Sequence, residues 1–423
     1  MSSERVQTTL GDVCLKITDG AHASPRTVVS GKPMASVKDL TRFGVDLTSA
    51  RLIPIEDFDA LVKQGCKPEV GDVLIAKDGN SALDTVCTVS SPLDAVLLSS
   101  VAILRPNPEK INSDFLKFYL SSADVVSYLK STFISGAAIP RVVLRDFKKA
   151  EIDIPPLSIQ KKIVSVLNAL ENRILVLRET NATLEAIAQA LFKSWFVDFD
   201  AVRAKLNGRS PEGMDEATAA LFPDSVEETE LGLVPLGWRY VSLREAVSIH
   251  DSKRIPLSGQ ERDKRKGPYP YYGAAALMDA VDDYIFDGVY LLTGEDGSVA
   301  DTNGYPIMQY VWGKFWVNNH AHILQGKDGV STEHVMLAMQ RVNITPYITG
   351  AVQAKLSQTN MWRINFLMPT REVSEKFGSL LEPLFARFRQ NSEQAQTLSN
   401  LRDALLPRLI SGQLRLPTLV EAD

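Results

Sequence analysis

The side chains best suited to binding another molecule occur in a basic stretch of the second half of the chain. Only Glu261 and Asp263 oppose its cations, and the stretch runs directly into the aromatic sequence PYPYYGA. The cations are Lys253, Arg254, Arg262, Lys264, Arg265 and Lys266, and the tyrosines are Tyr269, Tyr271 and Tyr272. Cations neutralise phosphates, and planar hydrogen-bonding side chains suit the groups beside them. The stretch therefore predicts a nucleic-acid contact surface, with a solvated charged loop as the alternative.

Short glycine turns that follow apolar strands supply a second set of candidates. AKDGN runs from Ala76 to Asn80, and TGEDG runs from Thr293 to Gly297. A glycine turn lets backbone N–H groups approach a phosphate closely, and Lys77 adds positive charge. We interpret both turns as candidate phosphate contacts, with ordinary hairpin turns as the alternative.

One short phrase occurs twice, once in each half of the chain. FISGAAIPRV begins at Phe133 and YITGAVQAKL begins at Tyr347, 214 positions later. Each phrase places a hydroxyl group, a glycine and then a cation, Arg141 or Lys355, in an exposed loop. Recurrence in both halves favours a functional role, because turns that merely close hairpins have little reason to keep the same side chains.

Further matches at a similar spacing predict an internal duplication. Ile187 and Leu401 align at the spacing of 214 residues, and so do Pro155 and Pro369. GDVLIAKDG in the first half also resembles GVYLLTGEDG in the second half, with a small insertion between them. Each half has glycine, proline and short β-type runs first, such as AVLLSSVAIL and YIFDGVYLL, and a long helical pattern afterwards.

The chain lacks the short signatures that carry common catalytic chemistry. It has no GxxxxGK[ST] phosphate loop, no GxGxxG after a strand, no HExxH and no GxSxG. His320 and His322 have the spacing of two metal ligands, but no third ligand follows at a helpful distance along the chain. The sequence thus predicts a binding protein without a metal, and a fused methylation or cleavage activity is an alternative that lacks motif support.

Two segments predict long helices that would position the candidate residues. In the first, apolar residues recur at helical spacing after PPLS, where Ser158 can cap the helix. In the second, the pattern continues to SGQ, so we expect an end near Gly412. A helix of roughly 38 residues is about 55 Å long, and its apolar stripe needs a second long helix. Asn181 and Asn391 fall near that seam, where they either fix its register or lie at a solvated edge.

Composition predicts a soluble protein with more than one domain. The 423 residues are 45% hydrophobic and 23% charged, and the net charge of −5 does not exclude a nucleic-acid partner, because local charge sets the contact. Three cysteines without CxxC spacing favour a reducing compartment. No run of about 18 apolar residues and no apolar leader segment occurs. We therefore expect a cytoplasmic protein without a membrane partner.

The sequence resembles the specificity subunits of type I restriction–modification systems over nearly its whole length. The most typical stretch is LEAIAQALFKSWFVDFDAVRAK, from Leu184 to Lys205, continued by GRSPEGMDEATAALFP and LGLVPLGW. IPPLSIQKKI at the first helix and LRDALLPRLISGQL at the end of the second are also typical. So are ITDGAHASP, YPYYGA and ISGAAIPRV.

The resemblance implies an α+β fold with a pseudo-twofold internal repeat. Two α/β target-recognition domains of similar fold would be separated by two long antiparallel helices that form a coiled-coil spacer. The segments expected are 1–155 for the first recognition domain, 156–207 for the central long helix and its exit, 208–235 for a connector, 236–368 for the second recognition domain, and 369–423 for the C-terminal long helix.

The resemblance also implies that this chain recognises and does not catalyse. Each recognition domain would read one half of a split, asymmetric sequence in double-stranded DNA, and the chain would scaffold two methylation subunits and two restriction subunits. No cofactor is expected on this chain, because S-adenosylmethionine would be held by the methylation subunit, and ATP and Mg by the restriction subunit. The alternative is a two-domain coiled-coil scaffold that joins protein partners and does not bind DNA.

The residues expected at the DNA interface lie in the glycine-containing loops of both domains. In the first domain they are Asp19, Gly20, His22, Ser24, Lys77, Asp78, Gly79, Asn80, Ser135, Gly136 and Arg141. In the second they are Lys253, Arg254, Tyr271, Tyr272, Gly273, Glu295, Asp296, Thr349, Gly350, Gln353 and Lys355. Gln353 can pair with adenine and Arg141 with guanine. A partner subunit is expected to contact Trp195, Phe196 and Phe199, with a core role for these rings as the alternative.

Overall fold

A computed structural model describes residues 5–135, 140–350 and 352–416 of the chain. The chain divides into two compact units. The first unit contains Met1–Leu177 and Gln394–Asp423, and the second contains Arg178–Glu393. Among the described residues, none of the helices combines the length and apolar character that crossing a membrane requires.

The first unit is built around an antiparallel sheet with the strand order β2-β10-β7-β8, beside a second sheet with the order β6-β3-β9. Its strands are β1 (Val6–Thr9), β2 (Cys14–Asp19), β3 (Lys32–Ala35), β4 (Leu40–Thr41), β5 (Gly44–Val45), β6 (Arg51–Ile53), β7 (Val73–Ala76), β8 (Val86–Thr88), β9 (Val96–Leu97), β10 (Val101–Pro106), β11 (Ile134–Ser135), β12 (Arg141–Val142) and β13 (Glu151–Ile154). Its helices are α1 (Leu10–Val13), α2 (Ile55–Lys63), α3 (Ser113–Ser121), α4 (Ala123–Phe133), α5 (Leu144–Phe147) and the first part of α6 (Leu157–Phe196).

Strand β7 and the first four residues of β10 are continuous apolar runs because both of their faces are covered. Val73 and Ile75 belong to one apolar cluster, which also contains residues of α3 and α6. Leu74 and Ile103 belong to a different cluster. Since successive side chains of a strand point to opposite faces, the sheet separates two cores.

The second unit contains a six-stranded sheet with the order β17-β22-β20-β21-β18-β19. Its strands are β14 (Val226–Thr229), β15 (Gly232–Pro235), β16 (Arg239–Ser242), β17 (Val247–Ile249), β18 (Lys266–Tyr272), β19 (Leu277–Val281), β20 (Phe286–Gly294), β21 (Met308–Val317), β22 (Ala321–Gly326) and β23 (Asn365–Met368). Its helices, besides the end of α6, are α7 (Asp200–Leu206), α8 (Glu216–Ala220), α9 (Leu243–Ala246), α10 (Gly259–Lys264), α11 (Thr332–Met339), α12 (Gln358–Met361) and the first part of α13 (Arg371–Ile410).

The two units repeat one topology, which confirms the predicted duplication. In chain order, the strands of β2-β10-β7-β8 are first, fourth, second and third, and those of β17-β22-β20-β21 have the same arrangement. Each unit also contains a parallel strand pair, β3 with β9 in the first unit and β18 with β21 in the second. An antiparallel pair also closes each unit, β1 with β13 and β16 with β23.

The long helices α6 and α13 contain 40 residues each, and they run antiparallel within each unit. In the first unit, Ile163 near the start of α6 and Leu409 near the end of α13 share one apolar cluster. In the second unit, the ring of Trp195 near the end of α6 lies 5.3 Å from the ring of Phe377 near the start of α13. Each helix therefore supplies the long apolar partner that the other requires.

The helix ends follow the predicted signals with one difference. Helix α6 begins at Leu157, so Ser158 lies inside its first turn and is not the predicted cap. The carbonyl of Pro156 instead accepts the first hydrogen bonds, from the Gln160 and Ile159 N–H groups. Helix α13 ends at Ile410, just before Gly412, which has the positive φ of +78° typical of a residue after a helix.

The segment predicted as a connector, 208–235, is folded against the second unit. It carries α8 and the antiparallel pair β14–β15. Phe222 and Val234 are buried in the main core of the unit, and the ring of Phe222 meets the ring of Trp195 at 4.8 Å. This segment therefore acts as part of the second unit and not as a free linker.

Candidate nucleic-acid interface

In the first unit, the glycine turn after β7 is held against the segment that enters β12. Asp78 and Arg141 form an antiparallel bridge, and the Gly79 N–H donates to the Pro140 carbonyl at 2.9 Å. Arg141 Nε also donates to Asp78 Oδ1 at 3.2 Å, yet 62% of the Arg141 side chain remains exposed. We call Asp78, Gly79, Pro140 and Arg141 the first bracket.

The second unit builds the same arrangement from the second copy of each phrase. Asp296 and Lys355 form an antiparallel bridge, and the Gly297 N–H donates to the Ala354 carbonyl at 2.9 Å. Nearly half of the Lys355 side chain, 49%, is exposed. We call Asp296, Gly297, Ala354 and Lys355 the second bracket.

The echoed hydroxyl stabilises the turn of each bracket, and Gly350 does so in the second. Ser135 Oγ donates to the Arg141 carbonyl at 3.4 Å, and Thr349 Oγ1 donates to the Lys355 carbonyl at 3.3 Å. Gly350 has a φ of +92°, and a Cβ there would lie 2.1 Å from the Gln353 carbonyl oxygen, so only glycine fits. In their described residues the two phrases thus share one bridge and one hydroxyl-to-carbonyl hydrogen bond, and each presents a different cation.

The brackets correct the interpretation of the glycine turns. The Gly79 and Gly297 N–H groups already donate within the protein, so they are not open to the phosphate that the sequence analysis assigned to them. The hairpin alternative is correct as far as it goes, because AKDGN leads from β7 towards its antiparallel neighbour β8 and TGEDG leads from β20 towards β21. Each turn also bridges a segment far away in the chain. The cations of the brackets remain accessible, since the Arg141 and Lys355 side chains are 62% and 49% exposed.

Below the first bracket lies a buried ion pair. Lys77 Nζ donates to Asp19 Oδ2 at 2.7 Å, and Lys77 is only 6% exposed, so its predicted role as a surface cation is wrong. The exposed His22 ring reaches the other oxygen of Asp19 at 3.3 Å. Gly20 is buried, and a Cβ at that position would lie 2.1 Å from the Leu97 carbonyl oxygen. Lys77, Asp19 and Gly20 therefore support the loops that surround the bracket.

Below the second bracket the charges are reversed. Glu295 holds the position after β20 that Lys77 holds after β7, since both precede the Asp-Gly pair of their bracket. Arg254 Nη1 donates to Glu295 Oε2 at 2.6 Å and to the Ala321 carbonyl at 2.8 Å. Lys355 Nζ lies 3.5 Å from the other Glu295 oxygen. The loop after β17 is thus joined to the second bracket through the Glu295 carboxylate, whereas the Lys77 amine has this role below the first bracket.

The two histidines of VNNHAHIL have separate carboxylate partners. His320 Nδ1 lies 2.5 Å from Asp296 Oδ1 near the surface, whereas the buried His322 Nδ1 lies 2.6 Å from Asp251 Oδ2. His320 precedes β22 and its side chain is 47% exposed, whereas His322 lies inside the strand and is buried. Asp251 is a network residue that the sequence did not indicate, because it is far from His322 in the chain.

Asp251, Glu295 and His322 place ligand-type atoms within 4.8 Å of one another. The Arg254 guanidinium occupies the same cluster, at 2.6 Å from Glu295 Oε2 and 3.6 Å from Asp251 Oδ2. A guanidinium there already neutralises the carboxylates that a metal ion would require. The cluster is therefore an ion-pair network of Arg254 and His322 with Asp251 and Glu295.

Most cations of the basic stretch pair with acids of the same sheet edge. Arg262 Nε lies 3.2 Å from Asp279, Lys266 Nζ lies 2.8 Å from Asp279, and Arg265 Nε lies 2.9 Å from Asp282. Hydrogen bonds from Lys266 and from a backbone N–H lower the pKa of Asp279 to about 2. Arg262, Arg265 and Lys266 therefore have their charge balanced within the protein, and Lys253 and Lys264 are exposed.

The tyrosines of PYPYYGA are largely internal. Tyr271 is buried, its hydroxyl accepts from the Leu257 N–H at 2.9 Å, and the Arg262 guanidinium lies 5.1 Å from its ring centre. Tyr272 is half-buried and packs edge-on against Phe315. The predicted DNA contact at Tyr271 is therefore wrong, because no face of this ring is available at the surface.

Exposure divides the remaining predicted interface residues. Gly273 is buried, Asp78, Glu295 and Asp296 are half-buried within the brackets and their supports, and Gly136 lies outside the described residues. The exposed members in the first unit are His22, Ser24, Asn80, Ser135 and Arg141, and those in the second are Lys253, Thr349, Gly350, Gln353 and Lys355.

The aromatic rings predicted for partner contact belong mainly to the core of the second unit. Trp195 and Phe196 are 4% and 6% exposed, and the ring of Phe196 lies 5.5 Å from the ring of Trp238. The core alternative is therefore the correct one for these two residues, which offer no exposed face. Phe199 is half-buried, has a φ of +54°, and packs edge-on against Trp238.

An exposed apolar position that the sequence analysis did not assign to a partner recurs on both long helices. Ile187 on α6 is 44% exposed, and Leu401 on α13 is 46% exposed. Ala190 and Ala404, one helical turn further on, are also exposed. The signal that could have identified this surface was the alignment of Ile187 with Leu401 in the repeat, combined with their position away from the buried seam.

Comparison with known proteins gives concordant matches over both halves. The family described as type I restriction modification DNA specificity domain matches residues 7–186 and 235–399. The type I restriction enzyme HindI specificity subunit of Haemophilus influenzae is 24% identical, over 85% of this chain and 90% of its own length. The MjaIX specificity subunit of Methanocaldococcus jannaschii is also 24% identical, over 73% of this chain and 70% of its own. A solved S subunit of a type I system from M. genitalium has a TM-score of 0.55 at 14% identity, covers 99% of this chain and 98% of its own, and shows the same fold.

Proposed function

Since the chain belongs to the family of type I restriction–modification DNA specificity proteins, we propose that each of its recognition domains reads one half of a split DNA sequence. The observation that carries this proposal is the repeated bracket. One backbone conformation presents Arg141 in the first unit and Lys355 in the second. Two brackets of the same backbone arrangement that carry different side chains suit two half-sites of different sequence.

The exposed side chains at the brackets have the chemistry that DNA recognition needs. A guanidinium such as that of Arg141 can donate two hydrogen bonds to the O6 and N7 atoms of guanine. The amide of Gln353 can pair in the same bidentate way with adenine. Lys355 and Lys253 suit phosphates, which fix the position of a protein on the duplex without reading its sequence.

The chain acts by binding and by orienting DNA, and the chemical steps take place on its partners. Methylation requires S-adenosylmethionine, which we assign to the methylation subunits, and restriction requires ATP and Mg, which we assign to the restriction subunits. We place the contact with the methylation subunits at the exposed apolar positions Ile187 and Leu401. Two equivalent positions suit two copies of one partner.

The experiment that tests this function maps DNA methylation. The full chain is co-expressed with its methylation subunit in a host that lacks the modification, and methylated adenines are located by sequencing. We expect a single split sequence to be methylated. A scaffold that does not bind DNA would leave no methylated sequence, and this result would overturn the proposal.

A domain exchange tests the assignment of one domain to each half-site. Residues 1–155 are replaced by the corresponding domain of a relative, and the methylated sequence is mapped again. We expect one half of the sequence to change while the other half is kept. A change in both halves would show that the two units do not read separately.

A further inference from the structure

An exposed cation recurs at one place after each bracket, outside the residues that the sequence analysis singled out. Lys149 lies two residues after α5 in the first unit, and Arg363 lies two residues after α12 in the second. The two positions are separated by 214 residues, which is the spacing of the duplicated phrases. The Lys149 side chain is 72% exposed, and Arg363 is also exposed.

The same backbone hydrogen bonds hold both cations. The Lys149 N–H donates to the Asp146 carbonyl at 2.9 Å, and the Arg363 N–H donates to the Asn360 carbonyl at 3.0 Å. Both bonds reach back three residues, to the helical turn that precedes the cation. Lys149 and Arg363 therefore leave equivalent turns of backbone.

The residue that follows each cation is anchored in the core of its own unit. The Ala150 carbonyl accepts from the Leu10 N–H at 3.0 Å, and the Ile364 carbonyl accepts from the Leu243 N–H at 2.9 Å. All four of these residues are buried, at 0% or 1% exposure. Each exposed cation is thus held at a fixed place between a helical turn and a buried anchor.

The polar side chains around the two cations do not recur. Three equivalent positions differ in charge, namely Arg145 and Thr359, Asp146 and Asn360, and Lys148 and Trp362. Lys149 Nζ lies 3.1 Å from Asp146 Oδ1 at the surface, and exposed ion pairs of this kind stabilise a fold little. Because the second unit has the uncharged Asn360 at that position, pairing with this neighbour does not explain why the positive charge is kept.

A side chain that is the same in both units suits a target that is the same at both half-sites. The bases of an asymmetric sequence differ between its halves, whereas the phosphates of the DNA backbone are alike throughout and carry no sequence information. An amine and a guanidinium differ in hydrogen-bond geometry, but either neutralises a phosphate. The recurrence of charge without recurrence of side-chain shape therefore indicates a phosphate.

The position of each cation along the chain keeps it near the bases that its bracket contacts. Lys149 and Arg363 each lie eight residues after the bracket cation of their unit, Arg141 or Lys355. Eight residues reach at most about 28 Å even when fully extended. That length is less than one turn of duplex, which is about 34 Å.

We propose that Lys149 and Arg363 each bind a backbone phosphate of duplex DNA, one beside each half-site, and so position the brackets without reading sequence. This inference rests on the proposed function. It assigns to each unit a second contact whose chemistry is independent of the bases that the unit reads.

The test measures how binding depends on salt. The full chain in complex with its methylation subunit binds three duplexes: the mapped sequence, the same sequence with the first half scrambled, and the same with the second half scrambled. Dissociation constants are measured by fluorescence anisotropy from about 50 to about 200 mM salt, where the logarithm of affinity falls linearly with that of salt, by about 0.9 for each phosphate contacted.

Replacing either cation should remove one phosphate contact. Lys149→Ala and Arg363→Ala should each weaken binding and reduce the salt slope by about 0.9, and the double variant should reduce it by about 1.8. The ratio of affinities for the mapped and scrambled duplexes should not change, because a phosphate is present in all three. Lys149→Arg and Arg363→Lys should keep the full slope.

The matched controls are exposed arginines that do not recur in the other unit. Arg145 is 86% exposed on α5, and Arg244 is exposed on α9. Arg145→Ala and Arg244→Ala should keep the salt slope of the unsubstituted chain. Light scattering counts the methylation subunits in each complex, and far-UV circular dichroism shows that each variant is folded.

The outcomes separate this inference from the proposed function. If the unsubstituted chain binds all three duplexes equally, the reading of half-sites is wrong, while the salt slopes still decide the role of the two cations. If it binds none of them, both proposals are wrong.

Three results would overturn the phosphate contacts alone. The first is a salt slope that Lys149→Ala and Arg363→Ala leave unchanged or reduce no more than the controls do. The second is a changed ratio between mapped and scrambled duplexes, which would show that the cation reads a base. The third is loss of a methylation subunit at an unchanged slope, which would place the contact on that partner.

Discussion

Among the predicted interface residues, the position of a cation relative to its strand and its bracket decides whether its side chain is buried or exposed. Lys77 and Arg141 both belong to glycine-containing loops, but Lys77 is 6% exposed whereas the Arg141 side chain is 62% exposed. Lys77 immediately follows β7, so its amine reaches back to Asp19, and Arg141 lies at the outer edge of the bracket. The residues that extend outward are the ones that we expect to contact DNA.

Replacing Arg141 should weaken binding to one half-site. A bidentate contact with guanine contributes about 1–3 kcal/mol of discrimination, so Arg141→Ala should reduce affinity for the mapped duplex about ten- to a hundredfold. The matched control is Arg145→Ala, because the Arg145 side chain is 86% exposed and lies on α5 outside the bracket. Fluorescence anisotropy on the two duplexes with scrambled halves assigns the loss. An equal loss for Arg145→Ala would show a general effect of charge.

His334 should make the second unit sensitive to acid. It is buried among aromatic rings, and burial lowers its pKa from 6.5 to about 3. The unfolded chain takes up a proton near pH 6.5 but the folded unit does not, so stability falls as pH drops from about 6.5 towards 3, by at most about 1.4 kcal/mol per pH unit from this residue. The variant His334→Leu should lose this part of the pH dependence.

Tryptophan fluorescence can follow this unfolding, because all five tryptophans of the chain lie in the second unit. Urea unfolding is compared between the His334→Leu variant and the unsubstituted chain at about pH 8, 6 and 5, on both sides of the usual histidine pKa. The difference in unfolding free energy should grow in favour of the variant as pH falls. The same difference in unfolding free energy at all three pH values would show that His334 is not the source of the acid sensitivity.

At the scale of elements, buried charges join the recognition domains to the long helices. In the first unit, Glu171 of α6 accepts a hydrogen bond from Lys117 of α3 and another from Arg42 Nε at 2.6 Å. In the second unit the polarity is opposite, because Arg389 of α13 lies 3.5 Å from Glu333 of α11. Each helix thus carries the charge that its own domain requires.

Removing the charge of Glu171 should destabilise the first unit strongly. Glu171→Gln leaves Lys117 and Arg42 without their carboxylate, and breaking a buried pair in this way costs about 3–5 kcal/mol. The control is Glu179→Gln at an exposed position of the same helix, where a change within about 0.5 kcal/mol is expected. Hydrogen exchange of first-unit amides measures the effect, since tryptophan fluorescence reports the other unit. Equal protection of these amides from exchange in both variants would show that the Glu171 charge does not stabilise the first unit.

The asparagine pair of the helix seam should show strong coupling. Asn391 Nδ2 donates to Asn181 Oδ1 at 2.9 Å, and Asn181 Nδ2 donates to Ser392 Oγ at 2.9 Å and to the Phe388 carbonyl at 3.0 Å. Both asparagines are buried, so the solvated-edge alternative is wrong, and their pairing across the seam is the arrangement that a role in register requires. Asn181→Leu alone should cost about 1–3 kcal/mol because it leaves the Asn391 amide unpaired.

A double substitution separates stability from register. Asn181→Leu with Asn391→Leu should recover most of the lost unfolding free energy, because two apolar side chains satisfy each other in the seam. A double-mutant cycle in urea, read by tryptophan fluorescence, measures the coupling energy. Strictly additive losses would show that the two amides do not depend on each other.

At the scale of the whole molecule, the repeat predicts how many methylation subunits the chain binds. Ile187→Asp and Leu401→Asp each place a charge at one of the two equivalent exposed positions, so each single variant should bind one methylation subunit and the double variant none. Light scattering after size-exclusion chromatography gives the mass of each complex. The control is Val29→Asp, a fully exposed apolar position in a loop of the first unit. Two bound subunits in the double variant would place the contact elsewhere.

The sequence by itself determined the duplication, the two long helices and the loops that carry the brackets. These features are local: a glycine with a positive φ, an echoed hydroxyl or an apolar spacing encodes its backbone conformation within a few residues, so a second copy predicts a second structure. SGAAIPR and TGAVQAK were therefore recognised as equivalent, and the ends of the helices were found within one or two residues.

The tertiary structure alone decided which of the candidate side chains are exposed. Lys77 meets Asp19, Arg254 meets Glu295 and His322 meets Asp251 across sheet strands that are distant in the chain. Burial of a charge depends on what packs over it and on whether a partner arrives, and neither is written in the local sequence. For the same reason Trp195 and Phe196, which resemble a surface patch in the sequence, fill the core of the second unit.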